Sequence, residues 1–263
     1  MTVWAVANQK GGVGKTTTAV SLAGLLARRG ASVLLVDMDP HGSMSSYFGQ
    51  DPEDPEGSVY DLFIQTPSDA MTPRLIVATA VQNLSLLPAC TAMATLDRQL
   101  GARQGKGLIL KKALAGVSDR FDHILLDCPP MLGVLMVNAL AACDRLIVPV
   151  QTEHLALKGL ERMLRTVEMI LRSRPNGLPC HIVPTLYDRR TRASQDALHT
   201  LQENHGDRLW NGEIPVDTRF REASRQGQPL TVLHPWSRGS QAYRQLLSDL
   251  LDEEPEMLRE ATS

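Results

Sequence analysis

The sequence predicts an α/β fold, a doubly wound and mostly parallel sheet flanked by helices. Three observations carry that expectation. Apolar runs recur along the chain at helix-length intervals. They contain almost no alternating polar positions, as strands covered on both faces require. A glycine-rich run also joins the first of them directly to a helical segment.

Residues 3–7 form the first buried strand. Residues 16–29 carry Leu22, Ala23, Leu25 and Leu26 at helical spacing and stop at Gly30, which suits the left-handed position after a helix. Residues 33–36 form the second strand, which runs into Asp37-Met38-Asp39-Pro40. A strand, helix and strand so closely spaced predict parallel pairing through a right-handed crossover. Residues 50–74 are rich in proline and acid and read as a surface excursion, with 59–64 as an apolar interruption. Further strands are expected at 84–87, 124–126, 146–150 and 182–183.

At 263 residues the chain suits one large α/β domain. Residues 1–251 are expected to form it, and 252–263, beginning Asp252-Glu253-Glu254-Pro255-Glu256, an acidic flexible tail. The N-terminus leads straight into the first strand, so no signal peptide is expected, and no stretch approaches the roughly 20 apolar residues of a membrane span. The expected compartment is the cytoplasm. Cys90, Cys128, Cys143 and Cys180 form no CxxC pair and read as small core residues. A net charge of −2 gives no general affinity for nucleic acid, so any such contact must come from local charge.

The run Asn8-Gln9-Lys10-Gly11-Gly12-Val13-Gly14-Lys15-Thr16-Thr17 lies between strand and helix, where a phosphate-binding loop can use the helix N-terminus. Its glycines let several N–H groups aim at phosphate oxygens; Lys15 can reach the terminal phosphates and the Thr16 hydroxyl a Mg²⁺ ion. The standard pattern asks for glycine where Gln9 stands, and Lys10 has no duty in the standard cradle. The form is the deviant K-G-G-x-G-K-[ST]. Asp127 ends the run His123-Ile124-Leu125-Leu126, the position of an acid that faces Mg²⁺ or its waters. Asp39 is the candidate to orient an attacking water, and Asp37 to support either the Mg²⁺ shell or the loop. Lys10 is the cation available to offset transition-state charge.

These residues resemble the ParA/MinD family of deviant-Walker ATPases, and its ParA/Soj branch in particular. The resemblance rests on residues 8–18, 37–43, 84–89 and 127–130, on Asn138-Ala139-Leu140, on Pro149-Val150-Gln151 with residues 156–160, and on Leu186-Tyr187-Asp188 with Arg190-Thr191. It extends from about residue 3 to about residue 247. It implies a P-loop NTPase that uses ATP and Mg²⁺, with hydrolysis slow and stimulated by partners.

Residue by residue, the resemblance makes Lys10 the lysine that reaches the nucleotide of a second subunit in an ATP-bound homodimer. Lys15, Gly11, Gly12, Val13, Gly14, Thr16 and Thr17 would hold nucleotide, with Thr16, Asp39 and Asp127 at the metal and Asp39 as the catalytic acid. Residues 214–217 resemble the loop that flanks adenine, which makes Pro215, Asp217 and Thr185 base contacts. Asp39-Pro40-His41-Gly42 departs from the usual Asp-Pro-Gln-Gly and points to the branch that positions chemotaxis clusters; chromosome or plasmid partition is the competing cargo. An adaptor or ParB-like protein is the implied partner.

Local charge supplies a DNA-binding expectation. Residues 158–192 hold eight basic side chains against three acids. Arg189, Arg190 and Arg192, with Arg219 and Arg221, would contact phosphates of DNA without reading sequence. The acidic, proline-interrupted end of the chain disfavours a MinD-like membrane role, which needs a basic amphipathic helix. A metabolic enzyme on the same scaffold is the further alternative.

Overall fold

The computed structural model describes residues 1–65, 71–100, 106–171, 174 and 177–253. β1 (Thr2–Val6) leads through the glycine-rich loop into α1 (Lys15–Arg28), and β2 (Val33–Asp37) follows. Short helices α2 (Ser43–Tyr47), α3 (Val59–Ile64) and α4 (Thr72–Leu75) precede β3 (Val77–Ala78) and β4 (Leu84–Leu87). Then come α5 (Leu96–Leu100), α6 (Ile109–Ala115), β5 (His123–Asp127), α7 (Val134–Ala142), β6 (Arg145–Gln151) and α8 (His154–Leu171). β7 (Cys180–Thr185), α9 (Arg192–His205), α10 (Arg219–Arg225), α11 (Leu230–Leu233) and α12 (Arg238–Asp252) follow among the described residues.

The seven strands lie in the order β3-β4-β2-β5-β1-β6-β7, and every neighbouring pair is parallel except β3 with β4. The expected doubly wound sheet is therefore present. Side chains alternate across it. Val3 and Ala5 face the layer that contains α3 and α5 to α9, whereas Trp4 and Val6 face α1 and α12. Each strand is apolar on both faces because each face is covered. Arg145 is buried at the start of β6, its guanidinium 5.5 Å from the Trp4 ring, and donates to the Leu250 carbonyl; this ties α12 to the sheet.

Two local readings change. Residues 59–64 do not lie on a surface excursion: they form α3, started by a Ser58–Asp61 capping box, with Val59, Leu62 and Phe63 in the core. The edge strand β3, two residues long, was not expected from the sequence. Cys90, Cys128 and Cys143 are buried and Cys180 half-buried, and burial pushes the Cys143 and Cys180 thiols up to about 12. Asp252 closes α12, and residues 254–263 of the expected tail lie outside the described residues.

Register positions the site. Val6 and Asp37 both pair with Asp127, so β1, β2 and β5 end at one level. All three polar segments singled out above start from those carboxyl ends, where open α/β sheets bind ligands.

Candidate functional site

The loop after β1 is held from below by its neighbours. Asn8 donates to the Pro149 carbonyl at 2.7 Å and accepts from the Lys10 N–H at 2.9 Å. The Thr185 hydroxyl donates to the Val13 carbonyl at 2.8 Å. Gly12 and Gly14 adopt φ of 74° and 90°, a region that a Cβ would strain, and no side chain caps the start of α1. Free amides at the positive end of a 14-residue helix make an anion site. A Cβ at Gly11, Gly12 or Gly14 would meet nothing within 4 Å, so the loop borders open space at these glycines.

Lys15 is 8% exposed, and its ammonium lies 3.3 Å from the Lys10 carbonyl, folded across its own loop. Thr16 donates its hydroxyl to Asp127 Oδ2 at 2.6 Å. The other oxygen of Asp127, Oδ1, is buried with no hydrogen-bond partner among the described residues. A buried carboxylate oxygen without a donor is costly unless a cation or its water meets it. Burial, and next the charge of Asp37, hold the Asp127 carboxyl well above the usual carboxylate range; Thr16 and Lys15 act in the opposite direction. No group of three His, Cys, Asp or Glu among the described residues could cage a metal. The residues present fit Mg²⁺, which takes one or two protein ligands and completes its shell with phosphate and water.

The two acids after β2 part company. Asp37 is fully buried and accepts from Ser45 N and Oγ, both at 2.8 Å, and from Asp39 N at 3.1 Å. Its carboxylate supports the turn into α2, one of the two roles expected for it. Burial raises its pKa to about 6 against those hydrogen bonds. Asp39 is more accessible, and its Oδ1 accepts from His41 N at 3.0 Å and meets His41 Nδ1 at 2.8 Å.

Lys10 sends its ammonium away from the loop, to the Glu153 carboxylate and to Gln151 Oε1 at 3.3 Å, both at the end of β6. Glu153 and Ser45 were not singled out from the sequence. An acid two residues after an apolar run is too common to be a signal. Thr17 is half-buried on α1.

At the end of β7, Tyr187 bridges to Pro215 and Ile214 N donates to Pro184 O at 2.8 Å, so residues 214–217 lie alongside this strand tip. Leu186, a non-glycine, has φ of 53° there. Thr185 is buried and occupied by the loop carbonyl, so it supports the phosphate loop rather than offering itself to a base. Asp217 is also occupied. It takes Arg219 Nε at 2.9 Å and Nη2 at 3.1 Å and accepts from Gly239 N at 3.2 Å, and of these contacts the Arg219 hydrogen bond lowers its pKa most, against burial. Pro215 is half-buried and leaves room for a base contact.

The arginines divide likewise. Arg190 is bound by Asp188 at 2.9 and 2.7 Å, Arg192 lies 3.6 Å from Asp196, and Arg219 serves Asp217. Arg189 and Arg221 are exposed with no acidic partner among the described residues. The Arg190 hydrogen bonds hold Asp188 down to about 2. No described helix is long and apolar enough to cross a membrane.

The chain is similar to known proteins along most of its length. A family model described as an AAA domain matches residues 1–178. The chain is 38% identical over 247 residues to the sporulation initiation inhibitor protein Soj of Bacillus subtilis, covering 94% of this chain and 96% of that one. It is 35% identical over 255 residues to the chromosome partitioning protein ParA of Caulobacter vibrioides, covering 96% and 94%. A crystal structure named as a cobyrinic acid a,c-diamide synthase of Mycobacterium smegmatis, with bound ATP analogue and magnesium, superposes with a TM-score of 0.83 at 35% identity, over 97% of this chain and 96% of that one.

Proposed function

The chain belongs to the ParA/MinD family of P-loop ATPases, and on that premise we propose that it is an ATP-dependent dimerising switch that positions or segregates a cellular cargo. The observation that carries the chemistry is the buried Asp127 Oδ1 beside Thr16 at the mouth of a glycine-lined loop. Loop amides of residues 11–16 and Lys15 hold the phosphates. Thr16 and Asp127 would hold Mg²⁺ directly or through water, and when bound it would supply positive charge against the phosphates. Asp39 orients water for attack on the γ-phosphorus; the new P–O bond forms as the bond to the β,γ-bridging oxygen breaks, and ADP leaves. Lys10 of a second copy completes the site by offsetting charge on the transferred phosphoryl group. Hydrolysis is slow and stimulated by an adaptor or ParB-like partner.

Duplex DNA is the proposed scaffold, gripped through Arg189, Arg190, Arg192, Arg219 and Arg221, and the cytoplasm the proposed compartment. Between cargoes, His41 after Asp39-Pro40 favours a chemotaxis cluster over a chromosome or plasmid. Deleting the gene should scatter receptor clusters while chromosome loci segregate normally; the reverse pattern assigns partition.

Lys10→Ala should bind nucleotide as a monomer, and Asp39→Ala should dimerise with ATP and stay dimeric, both read by sedimentation. A Lys10→Ala chain that forms the ATP-dependent dimer removes the switch mechanism. The name of the mycobacterial structure favours a second reading, an ATP-driven amide synthesis. It predicts an amide product from a corrinoid carboxylate and an ammonia donor, with ATP consumed in step; ATP turnover that such acceptors leave unchanged excludes it.

A further inference from the structure

We infer that Glu153 is the resting dock of Lys10, a positioning residue that must release this lysine before two copies can close on nucleotide. The inference rests on the reading that Lys10 acts across the dimer, and it adds what holds Lys10 beforehand.

The two lysines of the loop diverge. Lys15 folds over its own loop, whereas Lys10 leaves it and ends on Glu153, with Gln151 Oε1 at 3.3 Å. Both partners are rooted in rigid backbone. Lys10 N is fixed to Asn8 Oδ1, and Asn8 to Pro149 of β6. On the other side, Thr152 N donates to Thr185 O at 3.1 Å, Glu153 N to Gln151 O at 2.8 Å, and Ala156 N to Glu153 O at 3.1 Å. With both backbones anchored, Lys10 can leave Glu153 by side-chain torsions.

The pair is also weak enough to let go. The Lys10 and Glu153 side chains are 31% and 40% exposed, so water screens their attraction. A half-solvated pair of this kind biases an equilibrium about two- to fivefold. A symmetric dimer must free two lysines, so the dock opposes closure by about four- to twenty-five-fold. A carboxylate of the same subunit and a phosphate of the facing nucleotide compete for one ammonium, so the dock raises the threshold that nucleotide contacts must exceed for closure. Exposed Met131 and Leu132 after β5 and Leu155 after β6 lie at this same end of the sheet, as apolar surface for the second copy to cover.

The test is the dimerisation constant with a non-hydrolysable ATP analogue, measured by sedimentation at 50 mM and 500 mM salt. Glu153→Gln should dimerise about four- to twenty-five-fold more tightly than wild type at low salt, with the gain shrinking at high salt as screening removes the wild-type dock. Glu153→Asp should restore most of the wild-type value, and Lys10→Ala/Glu153→Gln should lose the gain entirely. A merely structural Glu153 would lower nucleotide affinity of the monomer, which should instead match wild type. If Lys10→Ala abolishes the dimer but Glu153→Gln dimerises no more tightly than wild type, the dock is wrong and the reading of Lys10 stands. If Lys10→Ala dimerises normally, the across-dimer reading fails and this inference with it.

Discussion

At the tips of β1, β2 and β5 Lys15, Asp37 and Asp127 are buried and held by a loop carbonyl, by the Ser45 and Asp39 N–H groups and by the Thr16 hydroxyl, whereas along the turn from Asp188 to Arg192 the arginines stand in solvent. Lys15, Asp37 and Asp127 are 8%, 0% and 1% exposed. The side chains of Arg190 and Arg192 are 83% and 91% exposed. Burial does two things at once: it fixes geometry through loop carbonyls and amides, and it shifts ionisation, as in the rise of Asp37 to about 6. Exposure leaves charges mobile and their pairs worth little. The first region is suited to holding a reacting phosphate, the second to attracting a polyanion at long range.

Removing the buried cation should have the largest effect. Lys15→Ala is expected to weaken ATP about 100-fold in a calorimetric titration, since it deletes a charge-assisted contact from a buried cation. A change under about threefold would place the phosphates elsewhere and erase the contrast. Asp127→Asn comes next: Thr16 keeps a neutral acceptor, but the charge facing the metal is lost. The gain in nucleotide affinity on adding Mg²⁺ should fall about tenfold or more.

A third expectation concerns pH. The folded chain keeps a proton on Asp37 up to about 6, whereas the unfolded chain releases it near 3.8. Between those values the folded state binds more protons, so through this group stability falls as pH rises from about 4 to 6. Asp37→Asn should abolish that part of the slope, roughly 1–3 kcal/mol across the interval, in urea titrations of nucleotide-free protein. Comparison with wild type cancels His181, which burial lowers to about 4 and whose contribution runs the other way, lost as pH falls from 6.5. An unchanged slope would mean that Asp37 is hydrated after all.

The smallest effect belongs to the exposed region. Asp188→Asn frees Arg190 and removes a negative charge, so retention of duplex DNA at low salt should rise about threefold. If it falls instead, Asp188 orders the turn more than it masks the arginine.

How much was readable in the chain follows the same division. The strands at 33–36, 84–87, 124–126 and 146–150 lie within the observed ones to one or two residues, because parallel strands covered on both faces need unbroken apolar runs. The two-residue edge strand β3 leaves no such trace. The inward turn of α3 was written as Val59, Leu62 and Phe63 at helical spacing, but proline and acid on either side masked it. Counting arginines registered charge and missed its pairing, since whether Asp188 and Asp217 neutralise their neighbours depends on rotamers, not spacing.

The sequence by itself determined the phosphate loop, because glycine conformations, a helix start and an adjacent lysine act within ten consecutive residues. It also determined the sheet class, through apolar runs that no other arrangement would bury. Only the tertiary structure decided which acid does what. Asp37 is consumed by Ser45, eight residues on; Asp39 lies against His41, two residues on; and Asp127 meets Thr16, 111 residues away, with one oxygen left over. The remaining lone pairs of each carboxylate depend on which donors the fold brings within about 3 Å, and strand order sets that distance.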